Sequence, residues 1–117
     1  MEGLHILANF YQCQFDFTQE DILLNKAIEY CQDSGLQVVG HSKHHFQPQG
    51  LTFALLLAES HLSIHTWPEN GNIAFDIYTC NYQSDNSYKT REVYEQMKNL
   101  LQPSHVDYKE ISREKLD

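Results

Sequence analysis

Leu51-Thr52-Phe53-Ala54-Leu55-Leu56-Leu57-Ala58 is an almost unbroken apolar run, the length of one strand and far short of a bilayer span. Such a run predicts a strand covered on both faces. Downstream, Pro68 to Asn72 has turn chemistry, and Ile73 to Thr79 alternates as a further strand. Upstream, Leu4 to Tyr11 alternates with Leu4, Ile6, Ala8 and Phe10 on one face, and Leu36 to Gly40 begins another strand. Between those two, Thr18 and Asp21 offer an N-cap to a helical stripe of Ile22, Leu23, Ala27, Ile28 and Cys31. Ser34-Gly35 ends that helix, because glycine takes the left-handed terminal conformation freely. A second helix from Ser87 to Leu101 turns Val93, Tyr94, Met97, Leu100 and Leu101 inward, Pro103 stops it, and Val106 to Ile111 forms a last strand.

Strands adjacent in sequence favour hairpins and a mainly antiparallel sheet. The predicted fold is α/β of the α+β kind: a two-layer sandwich with two helices on one face, forming a single domain over residues 1–117. Phe75, Tyr78 and Tyr94 are expected in the core, as are Cys13 and Cys31. The net charge of −8, without a Lys/Arg-rich run, argues against nucleic acid as a partner and is compatible with a cationic ligand. The chain shows no membrane-length apolar segment and no signal-peptide pattern, and its three cysteines suggest reduced thiols, so a cytoplasmic location is expected.

Function is carried by Ala58-Glu59-Ser60-His61-Leu62-Ser63-Ile64-His65-Thr66-Trp67-Pro68-Glu69, with Asp76-Ile77-Tyr78-Thr79-Cys80 after it. These segments resemble the pyruvoyl-dependent S-adenosylmethionine decarboxylase proenzymes, short bacterial and archaeal branch. The resemblance implies self-cleavage between Glu59 and Ser60, giving a β chain of 1–59 and an α chain of 60–117 that starts with a pyruvoyl group made from Ser60. It implies that the Ser60 hydroxyl attacks the Glu59 carbonyl and that His65 handles protons, with the Thr52 hydroxyl standing where the family has a processing serine. The mature group is an electron sink that condenses with a substrate amine. Cys80 matches the acid that protonates the product carbon, Glu69 the ribose-binding carboxylate, and Trp67 and Phe46 the aromatics near adenine and sulfonium. Ser60 and His65, five residues apart, face opposite sides of a straight strand, so the chain must bend or the new end must move.

The implied activity is that of a lyase of polyamine biosynthesis acting on a small amino substrate, assembled as a homodimer of cleaved protomers. Four places depart from the family pattern: Leu4 replaces an arginine, Phe53 a glycine, Asn72 an aromatic, and Asn81 a glycine. These leave ornithine or arginine as alternative substrates to S-adenosylmethionine. A non-cleaving regulatory subunit is the reading from another class. The seven histidines show no CxxC or HExxH spacing, so no metal is expected.

Overall fold

In the computed structural model, which describes residues 2–81 and 84–114, the chain runs β1 (Gly3–Tyr11), α1 (Ile22–Asp33), β2 (Val38–His45), β3 (Leu51–Leu57), β4 (Ser60–Trp67), β5 (Asn72–Cys80), α2 (Ser87–Leu101) and β6 (His105–Arg113). The strands form one sheet in the order β2-β3-β4-β5-β1-β6, and every neighbouring pair is antiparallel. Both helices cover the same face, giving the expected two-layer sandwich.

Period-two alternation decides which side chains are dry. Leu4, Ile6, Ala8 and Phe10 of β1, Leu51, Phe53, Leu55 and Leu57 of β3, Leu62 and Ile64 of β4, and Ile73, Phe75 and Ile77 of β5 are all buried beneath the helices. The helices close that face with Leu23, Leu24, Ala27 and Cys31 from α1 and Val93, Tyr94, Met97 and Leu101 from α2. Truncating one of the buried leucines, isoleucines or Met97 to alanine costs about 2–5 kcal/mol, through lost transfer energy and the cavity left behind.

Three expectations need correction. The apolar run 51–58 is covered on one face only, because both helices pack on the same side: Leu56 is 56% exposed on the other. The N-terminal cap lies one turn earlier than expected. Asp16 Oδ1 accepts from the Thr18 amide at 3.0 Å and from its hydroxyl at 2.7 Å, starting a short 3-10 turn over Phe17–Gln19. Asp21 then precedes α1 without a side-chain capping bond. Tyr78 points to the open face and lies outside the core cluster, since it shares parity with Asp76 and Cys80. Cys31 is buried and Cys13 half-buried, as expected; burial pushes their thiols up, to about 12 and about 11.

Candidate active site

β4 sorts the candidate residues into two groups: most of them lie on the open face, while Ser60 itself turns to the helix side with Leu62 and Ile64. At the start of β4, Leu57 pairs with Ser60 across a two-residue turn of Ala58 and Glu59. Glu59 takes a left-handed φ of 76°, a conformation that costs a non-glycine residue about 1–2 kcal/mol. The Ser60 hydroxyl is buried and has no hydrogen-bond partner among the described residues. Backbone strain and an unsatisfied nucleophile therefore flank the Glu59–Ser60 peptide bond.

Cys80 reaches the same end of the sheet, because His61 pairs with Tyr78 in the β4–β5 register. Its thiol donates to the Tyr78 hydroxyl at 3.6 Å, and the Arg113 guanidinium lies 4.6 Å from that ring's centre. The hydrogen bond with Cys80, then burial, raise the tyrosine's pKa. His5, His61 and Ser63 converge beside them on Asp76. The two Nε2 atoms lie 2.8 and 3.1 Å from its Oδ2, and Ser63 donates to Oδ1. Burial works against ionisation of Asp76, yet donation from Ser63, His5 and His61 outweighs it and holds the carboxyl below its ordinary value.

The other group sits at the far end of β4. Thr52 Oγ1 and His65 Nδ1 are hydrogen-bonded at 3.0 Å, and the His65 ring lies 6.3 Å from that of Trp67. Trp67 is 46% exposed and Phe46 50% exposed, so neither is core. Gln49 donates to Glu69 at 3.4 Å, joining the β2–β3 turn to the β4–β5 turn. Behind them Glu20 is a brace: its carboxylate accepts from the Gly50 amide at 3.3 Å and from Thr66 Oγ1 at 3.0 Å. A groove of about 530 Å³ between the 3-10 turn and Phe46 is lined by Asp16, Glu20 and Asp21 on its acidic side.

The two groups are not in contact within one chain. Strand rise puts Ser60 roughly 16 Å from His65 and roughly 23 Å from Trp67, and Ser60 and His65 face opposite sides of the sheet. Of the two ways for them to meet, a bend is absent, because β4 runs unbroken from Ser60 to Trp67, which leaves movement of a new chain end. The four departures do not cluster around either group. Leu4 and Phe53 are core residues under the helices. Asn72 accepts from the Gln12 amide at 3.0 Å, and Asn81 accepts from the Asn86 amide at 2.8 Å ahead of α2. Sequence spacing missed His5, Asp76, Ser63, Tyr78 and Glu20; only strand parity within 73–79 hinted at two of them, by aligning Asp76 and Tyr78 with Cys80.

Six antiparallel strands under two helices, with a strained hairpin before an orphaned serine, define an α+β two-layer sandwich whose candidate site lies along β4. The S-adenosylmethionine decarboxylase family model matches residues 4–114, and the chain belongs to that family. The S-adenosylmethionine decarboxylase proenzyme of Persephonella marina is 42% identical over 115 residues, covering 95% of this chain and 81% of that one. That of Clostridium botulinum strain Langeland is 32% identical over 116 residues, covering 98% and 97%. The crystal structure of the adenosylmethionine decarboxylase from Aquifex aeolicus matches with a TM-score of 0.80 and 34% identity over 99% of this chain and 93% of that one. A Trypanosoma brucei AdoMetDC-delta26 monomer shares the fold at a TM-score of 0.60 and 11% identity, with 44% of its length covered.

Proposed function

We propose that this chain is a proenzyme that cuts itself between Glu59 and Ser60 and then decarboxylates S-adenosylmethionine, the substrate its relatives are named for. The observation that carries the reading is the pairing of a left-handed Glu59 with a buried, unpartnered Ser60 hydroxyl. That hydroxyl attacks the Glu59 carbonyl and turns the amide into an ester, which releases the Glu59 strain. Loss of the residue 60 α-proton then expels the Glu59 carboxylate, and water hydrolyses the resulting dehydroalanine to the pyruvoyl terminus of the second chain with release of ammonia. Once formed, the pyruvoyl group supplies an electron sink for loss of the substrate carboxylate. Cys80, hydrogen-bonded to Tyr78, delivers a proton to the product. Glu69 accepts ribose hydroxyls, and Trp67 and Phe46 offer aromatic faces to the adenine and the sulfonium.

His65 and Thr52 manage protons during processing. Their distance from Ser60 within a chain is the reason to assign the working unit as a two-fold homodimer. An isologous pairing of open faces in opposite directions sets the far end of one β4 against Cys80 and Tyr78 at the near end of the other, and residue 60, which faces the helices in the uncut chain, joins them once cleavage frees its new end. Leu7, Leu56, Trp67 and Ile111, each at least 39% exposed on that face, supply the apolar contact. The dimer works in the cytoplasm with its thiols reduced; among the described residues no helix is long and apolar enough to cross a membrane. Ornithine and arginine are not favoured, because the similar proteins are named for S-adenosylmethionine.

The test is the intact mass of the purified protein under denaturing conditions. Two chains dividing at 59/60, the second lighter by the conversion of serine to pyruvoyl, are expected. One chain at full mass overturns the reading.

A further inference from the structure

The cluster on the open face beside β4 remains without an assignment. His5 of β1 and His61 of β4 both pair with Tyr78 of β5, so their backbones lie in one row across three strands. Both side chains lean along the sheet to Asp76, the next β5 residue on that face. The imidazole rings meet edge to face at 5.8 Å between centroids. One nitrogen from each ring and one carboxylate oxygen all lie within 4.8 Å of one another.

We propose that His5, His61 and Asp76 bind one divalent first-row transition ion of the zinc type, with Ser63 orienting the carboxylate. Two imidazoles and one carboxylate are a ligand set that such ions favour, with a further position left for water or another donor. The spacing fits: metal–ligand bonds of about 2.0–2.1 Å place tetrahedral ligand atoms roughly 3.3 Å apart, and two of the three separations here are already 2.8 and 3.1 Å. On binding, each neutral ring carries its proton on Nδ1 and presents the Nε2 lone pair, so no net proton need leave. The Ser63 donation to the other carboxylate oxygen, Oδ1, is the outer support that fixes a metal-binding carboxylate. The ligands come from residues 71 and 15 positions apart, which is why no metal spacing exists in the sequence. The ion would clamp the three central strands one residue beyond the cleavage point, since His61 follows Ser60.

The experiment uses tag-free protein stripped with chelator, then titrated with zinc by calorimetry and with cobalt by visible absorption. One equivalent per chain is expected, with cobalt bands typical of nitrogen–oxygen ligation. His61→Ala and Asp76→Asn should each lower zinc affinity at least 100-fold, and Ser63→Ala by about 10–100-fold, the usual effect of losing an outer-shell partner. His44→Ala, on the outermost strand, should leave the affinity unchanged. If the ligand variants misfold by circular dichroism, the Ser63→Ala titration and the cobalt spectrum decide alone. Absence of saturable binding, or binding undiminished by Ser63→Ala, His61→Ala and Asp76→Asn, overturns the site and leaves the three residues as a hydrogen-bonded cluster. The uncut Ser60→Ala chain should also bind one equivalent, so the result stands apart from whether processing occurs.

Discussion

The two ends of β4 are built differently. The near end is strained and under-satisfied: a left-handed Glu59, a buried Ser60 hydroxyl without a partner among the described residues, and a thiol 3.6 Å from the Tyr78 hydroxyl. The far end is braced and open. Glu20 ties Gly50 to Thr66, Gln49 ties one turn to the next, and Trp67 and Phe46 stand in solvent. Stored strain suits the peptide-bond cleavage proposed for the near end, and a preorganised, exposed surface suits the ligand binding proposed for the far end. The strand between them is too long for both to serve one substrate in the same chain, so the contrast is itself an argument for two copies.

The largest effect separates the ends outright. Ser60→Ala should remain a single chain with decarboxylation at background, read by denaturing mass and carbon dioxide release; any cleaved product breaks the assignment of the near end. Cys80→Ala should still process, while turnover falls by about 10²–10⁴, the range for losing a positioned acid. That variant also probes the dimer. A mixture of Cys80→Ala and Glu69→Gln protomers, refolded together, should recover about a quarter of wild-type activity, since half the dimers are mixed and each mixed dimer holds one intact site of two. No recovery would place both ends of a site in one chain. Glu69→Gln alone should process normally and raise KM by roughly 10–100-fold, the worth of a hydrogen bond to a charged group; a change confined to kcat would mean that the far end does not bind ribose.

The fold was legible where periodicity was strong. Alternation over 4–11 and 73–79 and the stripe of α2 helped to place five of the six strands and both helices, because the buried face dictates register; β4 was treated as a strand only through the motif it carries. The run 51–57 misled: apolar residues on its open face, such as Leu56, signal burial that a monomer does not provide. Ser60, Cys80, His65 and Glu69 were legible only as a motif, since nothing in their spacing shows which end of the sheet they reach. The separation of Ser60 from His65 followed from strand parity alone. The meeting of Asp76 with His5 and Ser63 was invisible because antiparallel register, not sequence proximity, joins them. Phe53 and Leu4 looked like changes to a binding site and proved to be core, a distinction that needs the pleat.

The smallest effect calibrates the others from outside both ends. Arg91 of α2 grips Glu110 of β6 through two bonds, Nε and Nη2 each at 2.9 Å, on the face away from β4. Hydrogen bonds from Arg91 and then Tyr108 lower the Glu110 carboxyl from 4.5 to about 2. The guanidinium is half-exposed, so solvent screening keeps the pair's worth to about 1 kcal/mol or less. A carboxyl depressed in the folded state stabilises above its unfolded pKa, and that contribution fades as pH falls toward the folded value. Arg91→Ala should therefore lower stability slightly at pH 7, and the gap from the parent should shrink between about pH 4.5 and pH 2. Urea unfolding of the uncut Ser60→Ala chain, at fixed protomer concentration, measures this without a second chain to dissociate. Processing and KM should be untouched; a shift in either would show that the helix-side pair communicates with one end of β4.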